Sequence, residues 1–185
     1  RQLILVNESQ EMALGEDAYR EILATEQLSK DVEMTRIVER VGRRIAAKVD
    51  RPQFEWEFKL IESEQVNAFC LPGGKIAIYT GILPILKNEA GMAAVMGHEV
   101  AHAVARHGAE RMSQHMGLAV VQGVVEKGLE RSSRVNRDRA MAVLGIGAQF
   151  GILLPYSRSH ELEADQLGVF YAAGAGYDPQ EAVAV

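Results

Sequence analysis

The chain has 185 residues, 48% of them apolar and 24% charged, and a formal net charge of −5. These are the values of a globular chain long enough to bury a sizeable core as one compact domain. The acidic balance and the lack of a concentrated basic face exclude a nucleic-acid binder. Cys70 is the single cysteine, so no intrachain disulfide is available and the redox compartment stays open.

In chain order, Arg1–Asn7 carries too short an apolar run for a signal peptide, and any leader is expected to lie outside this sequence. Glu8–Gln27 reads as a helix with exposed charges. Asp31–Val49 reads as an amphipathic helix with Val32, Ile37, Val38, Val41, Ile45 and Val49 as its apolar positions, ended by Pro52. Phe54–Leu60 alternates and predicts a strand whose aromatic face packs on helices. Glu64–Cys70 and Lys75–Thr80 are further strands, joined by Leu71-Pro72-Gly73-Gly74. After Thr80 the chain is mostly helical. Asn88 caps a helix with Glu89 at the positive end of its dipole, followed by Ala90, Met92, Ala93, Ala94, Val95 and Met96. Gly97 weakens that helix by about 1 kcal/mol relative to Ala, consistent with close packing or with a tight approach of substrate.

The longest apolar stretches, Met116–Val125 and Ala140–Leu154, fall short of the roughly 18–20 residues that span a bilayer. They predict buried helices. Met141, Leu144, Ile146, Phe150, Ile152, Leu153 and Leu154 then lie against the helix after Asn88 or form an apolar surface near a membrane. Arg131, Arg134, Arg137 and Arg139 read as a solvated loop, with a contact to anionic lipid or a partner as the alternative. Ser157 or Ser159 caps a last long helix, with Leu162, Leu167, Val169 and Phe170 as its apolar positions. Asp178-Pro179 starts another helix. There is no internal repeat and no low-complexity segment.

The chemistry sits in Gly97-His98-Glu99-Val100-Ala101-His102. Residues four apart on a helix lie one above the other, so His98 and His102 can offer imidazole nitrogens to one metal ion. Glu99 stands beside them, able to serve a metal-activated water without being a ligand. This is the arrangement of a zinc peptidase; the alternative is a buried helix with two solvated histidines. Downstream, Glu161 and Asp165 are again four apart. A catalytic zinc usually has three protein ligands and a water, which makes Glu161 the natural third ligand. Asp165 is placed to accept the free ring N–H of a ligating histidine. A solvated acidic face that includes Glu163 is the alternative for the second motif alone; the two motifs together outweigh it.

A metzincin would need a glycine and a histidine where this chain has Ala105 and Gly108. His107 is out of place for a third ligand on the same helix and reads as a polar residue near a helix end. His115 is treated likewise. His160 is expected to point to one side, within reach of substrate.

Three stretches resemble a known family. Asn67-Ala68-Phe69 with Pro72-Gly73-Gly74, the His98-to-His102 motif, and Ser157-Arg158 with Glu161 and Ala164-Asp165 run in the order of the HtpX-like and BepA-like zinc peptidases. These belong to metallopeptidase family 48, which also includes the CAAX prenyl endopeptidases of eukaryotic membranes. The resemblance covers the chain from about Arg51 onward, and the opening through Tyr19 is similar to the start of the soluble bacterial members. It implies zinc on His98, His102 and Glu161, Glu99 as general base, and Asp165 holding a ligand from behind. The implied fold is α+β and mainly helical: a zincin, gluzincin-like, with a small sheet beside the active-site helix. One domain is expected over residues 1–185, with helices of 1–50 packing on a catalytic core of 51–185 that is cut short at its C-terminal end.

The expected reaction is endopeptidase cleavage. Zinc activates a water and polarises the carbonyl, while Glu99 takes the water's proton and passes it to the leaving amine. Zincins place a strand with a free edge beside the active-site helix; Gly74, Lys75, Ile76, Ala77 and Ile78 are the candidate to hold substrate in extended form. Tyr156, Arg158, His160 and Tyr177 are weak candidates for an oxyanion donor. Cys70 reads as a small buried hydrophobe, with an inhibitory zinc ligand as its alternative. The resemblance implies a bacterial periplasmic enzyme acting on unfolded or misassembled polypeptides, with peripheral or lipid-anchored membrane association. Two other readings remain: a membrane-embedded peptidase of the HtpX or prenyl-protease type, and a chaperone-like assembly factor that binds extended chains.

Overall fold

A computed structural model describes residues 4–111, 113 and 156–180. The stretches Met116–Val125 and Ala140–Leu154, the arginine cluster at 131–139, and His115 lie outside the described residues.

Helix α1 (Glu8–Thr25) begins at Asn7, whose side chain accepts from Gln10 N at 2.8 Å while Gln10 accepts from Asn7 N at 3.2 Å. This reciprocal cap satisfies two donors that a helix start leaves unpaired. Helix α2 (Val32–Ala46) starts at Asp31, which accepts from Met34 N at 2.9 Å. The three-to-four-residue spacing of Val38, Val41 and Ile45 puts all three on the buried face. Val32, in the first turn, is exposed rather than part of that face.

Strands β1 (Glu57–Ile61), β2 (Ala68–Leu71) and β3 (Lys75–Tyr79) form one sheet in the order β1-β3-β2. β1 starts later than its alternation suggests. Phe54 N turns back onto Arg51 O at 3.0 Å, and the ladder opens only where Glu57 N meets Gly74 O at 3.0 Å. Phe54 and Trp56 instead form a tilted ring pair 5.3 Å apart. The β2–β3 hairpin turns through Gly73 and Gly74 at φ 91° and 88°, a region that side chains disfavour. A Cβ on Gly74 would also lie 2.9 Å from the Trp56 ring.

β3 is the central strand. It pairs parallel with β1, Glu57 opposite Lys75, and antiparallel with β2, Cys70 opposite Ile76. Both of its edges are therefore taken, and all five of its residues are buried. The expected free edge at Gly74, Lys75, Ile76, Ala77 and Ile78 is corrected here: hydrogen-bond groups already paired on both sides cannot receive an added strand. Lys75 turns toward α1, its Nζ 2.8 Å from Glu57 Oε1, 3.5 Å from Glu16 Oε2 and 5.9 Å from the centre of the Tyr19 ring.

The sheet is covered on both faces. Ile76 and Ile78 join Val38, Val41, Ile45, Phe58, Leu60, Met96 and Val100 in one core. Ala77 and Tyr79 join Ala18, Tyr19, Ile22 and Phe69 in a second core under α1. The alternation of β3 across the two cores follows from the two-residue period of a strand.

After a 3-10 turn (Thr80–Ile82) and the short helix α3 (Leu83–Leu86), helix α4 (Glu89–Val104) starts at Asn88, which accepts from Gly91 N at 2.8 Å. Helix α5 (Arg158–Gly174) starts at Ser157, which accepts from His160 N at 3.2 Å. The two helices touch backbone to backbone: a Cβ on Gly97 would lie 2.6 Å from Gly168 O, and one on Gly168 would lie 2.7 Å from His98 N. The inward face of α5 is His160, Ala164, Gly168, Tyr171 and Ala172. Leu162, Val169 and Phe170, expected inside, are exposed, and Leu167 is partly buried. Gly168, with Ala164 and Ala172 on the same face, lets α5 approach α4; large apolar side chains at the crossing would hold the helices apart. At the far end, Asp178 accepts from Gln180 N at 2.9 Å, the start of a further turn. Among the described residues no helix is long and apolar enough to cross a membrane.

Candidate metal centre

His98 and His102 stand one turn apart on α4, and their Nε2 atoms face one another at 3.0 Å. Glu161, in the first turn of α5, brings Oε2 to 3.4 Å from His98 Nε2 and Oε1 to 3.8 Å from His102 Nε2. Among the described residues this is the group of three whose donor atoms converge, all within 4.8 Å of one another. Asp165, one turn further along α5, places Oδ1 2.9 Å from His98 Nδ1.

The donor chemistry fits a divalent cation. An imidazole ligates through an unprotonated nitrogen, and the other nitrogen must then donate its hydrogen. His98 has Asp165 for that purpose. His102 is held neutral: burial, then His98, His107, His160 and Arg111, push its value down to about 3. Two imidazoles with facing Nε2 atoms and a carboxylate beside them are a donor set of the kind that holds a divalent transition-metal cation.

Glu99 is half-buried on α4. Burial first, and the Glu161 charge second, push its carboxyl up to about 8. Cys70 on β2 is buried, and burial raises its thiol, with the Glu99 charge adding to the effect. It packs within the larger core and does not belong to the converging donor group.

A second group of contacts, behind His102, has no local signal in the sequence. α4 stops at Val104, and Arg106 takes a left-handed φ of 60°. That break lets the chain start a new helical stretch at His107, angled back toward the site. Arg106 is held by Glu11 of α1, Nε to Oε2 at 2.7 Å, and by Val6 O at 2.8 Å. Arg51 donates to Val104 O at 2.8 Å. His107 is fully buried, its Nδ1 2.9 Å from His102 Nδ1 and its Nε2 3.2 Å from Glu163 Oε2. His107 does stand at a helix end, as expected, but it is buried against His102. No glycine or proline stands at 105 or 106 to announce the break.

His160 is buried and points to one side of the converging donors, as expected. Its ring stacks on His107 at 4.3 Å, and its Nε2 lies 3.1 Å from Glu110 Oε2. Tyr156 stacks on His102 at 4.0 Å, with the Arg111 guanidinium 4.0 Å from the centre of the tyrosine ring. Burial pushes the Tyr156 hydroxyl up to about 12 although Arg111 opposes it. Tyr177 packs in the core with Arg44 over its ring, and Arg158 is exposed.

A helix with two histidines one turn apart, completed by a carboxylate from a crossing helix and set beside a small sheet, defines a metallopeptidase type of chain. The sequence comparisons carry this further. The model of the family described as Peptidase family M48 matches residues 33–185, and the chain belongs to that family. It is 35% identical to the mitochondrial metalloendopeptidase OMA1 of Schizosaccharomyces pombe over 93% of this chain and 50% of that protein. Identity to the Arabidopsis thaliana protein of the same name is 42%, over 70% of this chain and 25% of the relative. Identity to the beta-barrel assembly-enhancing protease of Yersinia pestis is 30%, over 92% of this chain and 36% of that protein. The chain thus spans half or less of the length of these relatives.

Proposed function

We propose that this chain is the catalytic part of a zinc-dependent endopeptidase of the zincin type. The observation that carries the reading is the convergence of His98 Nε2, His102 Nε2 and a Glu161 carboxylate oxygen, with Glu99 on the same helix. Zinc bound there supplies Lewis-acid activation of a water and of the scissile carbonyl.

The residues supply the rest. Asp165 accepts from His98 Nδ1 and orients that ring. Glu99 takes the proton of the attacking water and returns it to the departing amine nitrogen. Its raised value fits a base working near neutral pH; a divalent cation beside it opposes both causes of the rise. β2 is the outer strand of the sheet on the side of α4. Backbone pairing with an extended polypeptide falls to its outer edge, Ala68–Leu71, because β3 is enclosed.

Unfolded or misassembled polypeptides are the substrates we propose, in a bacterial envelope setting with peripheral or lipid-anchored association. Support comes from the name of one group of relatives, which refers to β-barrel assembly; the name of the other group places those relatives in mitochondria.

The test is metal content and casein cleavage on the parent, Glu99→Gln and Glu161→Ala. Glu99→Gln is expected to keep its zinc and to lose about 10²–10⁴-fold in rate. Glu161→Ala is expected to lose most of its zinc. Full zinc occupancy in Glu161→Ala, or undiminished cleavage by Glu99→Gln, overturns the assignment.

A further inference from the structure

We infer that His107 and Glu163 are positioning residues that form a two-link hydrogen-bonded relay behind His102, the counterpart of the single link from His98 to Asp165. The inference rests on the proposed metal site and concerns how one of its ligands is held.

The direction of the relay follows from donor counting. A neutral imidazole has one N–H and one lone pair. When His98 and His102 both turn lone pairs inward at Nε2, each must carry its hydrogen on Nδ1. For His98 the acceptor is a carboxylate, Asp165 Oδ1 at 2.9 Å. For His102 the atom facing Nδ1 is another imidazole nitrogen, His107 Nδ1, at 2.9 Å. That nitrogen must accept, so His107 carries its own hydrogen on Nε2. His107 Nε2 faces Glu163 Oε2 at 3.2 Å, a group that only accepts when ionised. Every donor therefore meets an acceptor, in one direction only: His102 Nδ1–H to His107 Nδ1, and His107 Nε2–H to Glu163.

The surroundings hold the relay in place. His107 is fully buried, where an unpaired ring nitrogen is unfavourable. His160 lies flat on it at 4.3 Å with an interplanar angle of 18°, and Glu110 holds His160 at 3.1 Å. Tyr156 lies flat on His102 at 4.0 Å. The backbone supports the same end: the left-handed turn at Arg106, tied to Glu11, is what aims His107 at His102. Glu161, Glu163 and Asp165 lie in the first two turns of α5 and then serve as ligand, as the end of the relay behind His102, and as the single link behind His98.

Partners of a ligating histidine are worth about 10–100-fold in metal affinity. The experiment measures zinc affinity by competition with a chromophoric chelator, together with the imidazole ¹⁵N shifts of the zinc-loaded protein. Melting temperatures of the metal-free forms track packing. His107→Leu keeps bulk but removes the acceptor, and is expected to lose about 10–100-fold in affinity. His107→Asn keeps an acceptor oxygen near the place of Nδ1 and is expected to recover most of that loss. Glu163→Ala alters a half-exposed side chain and is expected to leave the fold in place. It is expected to weaken zinc binding up to about tenfold and to shift the His107 ring away from its Nε2–H tautomer.

Equal losses in His107→Asn and His107→Leu overturn the inference in favour of packing. So do an unchanged affinity and unchanged His107 shifts in Glu163→Ala, which decides the matter even where His107→Leu fails to fold. A parent protein that binds no zinc overturns the metal-site reading itself. A parent that binds zinc, loses it in Glu161→Ala and keeps it unaltered in His107→Leu overturns the relay alone.

Discussion

The His102 imidazole loses its affinity for a proton first to burial and then to the neighbours His98, His107, His160 and Arg111. Its value falls from 6.5 to about 3 in the metal-free fold. Between these values the unfolded chain binds a proton that the folded chain does not, so stability rises with pH across the window. The contribution is present above 6.5 and is lost as pH falls toward about 3. His107 is lowered too, chiefly by burial, and acts with the same sign. The chelator-treated protein is therefore expected to melt at progressively lower temperature from pH 7 to pH 5, and His102→Asn is expected to flatten that slope. Identical slopes in parent and variant would show that His102 is not the group responsible. At this scale the proposed pair of histidine ligands is legible in sequence because its spacing is local: four residues is one helical turn. His107 is not legible, because its part depends on the chain breaking after Val104, and Arg106 adopts the left-handed turn without a glycine to signal it.

Among elements, the crossing of α4 and α5 sets the geometry of the site. Gly97 and Gly168 meet at the crossing, next to His98. Gly168→Ala would put a methyl group 2.7 Å from His98 N and 2.9 Å from its Cα. Backbone on backbone cannot yield as a flexible side chain can, so the helices must separate. Overpacking of this kind costs about 1–3 kcal/mol, and it also carries Glu161 away from His98. The expected result is a lower denaturation midpoint together with reduced zinc affinity; a midpoint and affinity equal to the parent's would refute the crossing as the determinant. The sequence shows Gly97 as a point of close approach but is silent on Gly168. The inward face of α5 carries mostly small residues, while Leu162, Val169 and Phe170 stand outside, so apolar periodicity points to the wrong face. The sheet is a similar case. Three strands are readable from alternation and from the Pro72-Gly73-Gly74 turn, yet their lateral order is not. Nothing local in Lys75–Tyr79 reveals that β1 and β2 flank it on both sides.

For the molecule as a whole, the centre joins parts far apart in the chain. His98 and His102 come from α4, Glu161 from α5, and the residues from 114 to 155 run between those helices in sequence. Apart from the site, α4 and α5 are joined by the close glycine contact and by the shared core around Val100, Ala164 and Tyr171. A ligand that binds the folded arrangement and not the unfolded chain stabilises it by mass action, by about 2.7 kcal/mol at a hundred times its dissociation constant. Excess zinc is therefore expected to raise the melting temperature of the chelator-treated parent by several degrees, a shift that grows with the logarithm of free zinc. In Glu161→Ala the link between the helices is lost while both histidines remain on α4, so the shift should largely vanish. Calorimetry on the two proteins across a zinc series separates this from nonspecific binding. A shift of equal size in Glu161→Ala would mean that the cation is held by α4 alone, and α5 would then be a packing partner of the centre instead of part of it.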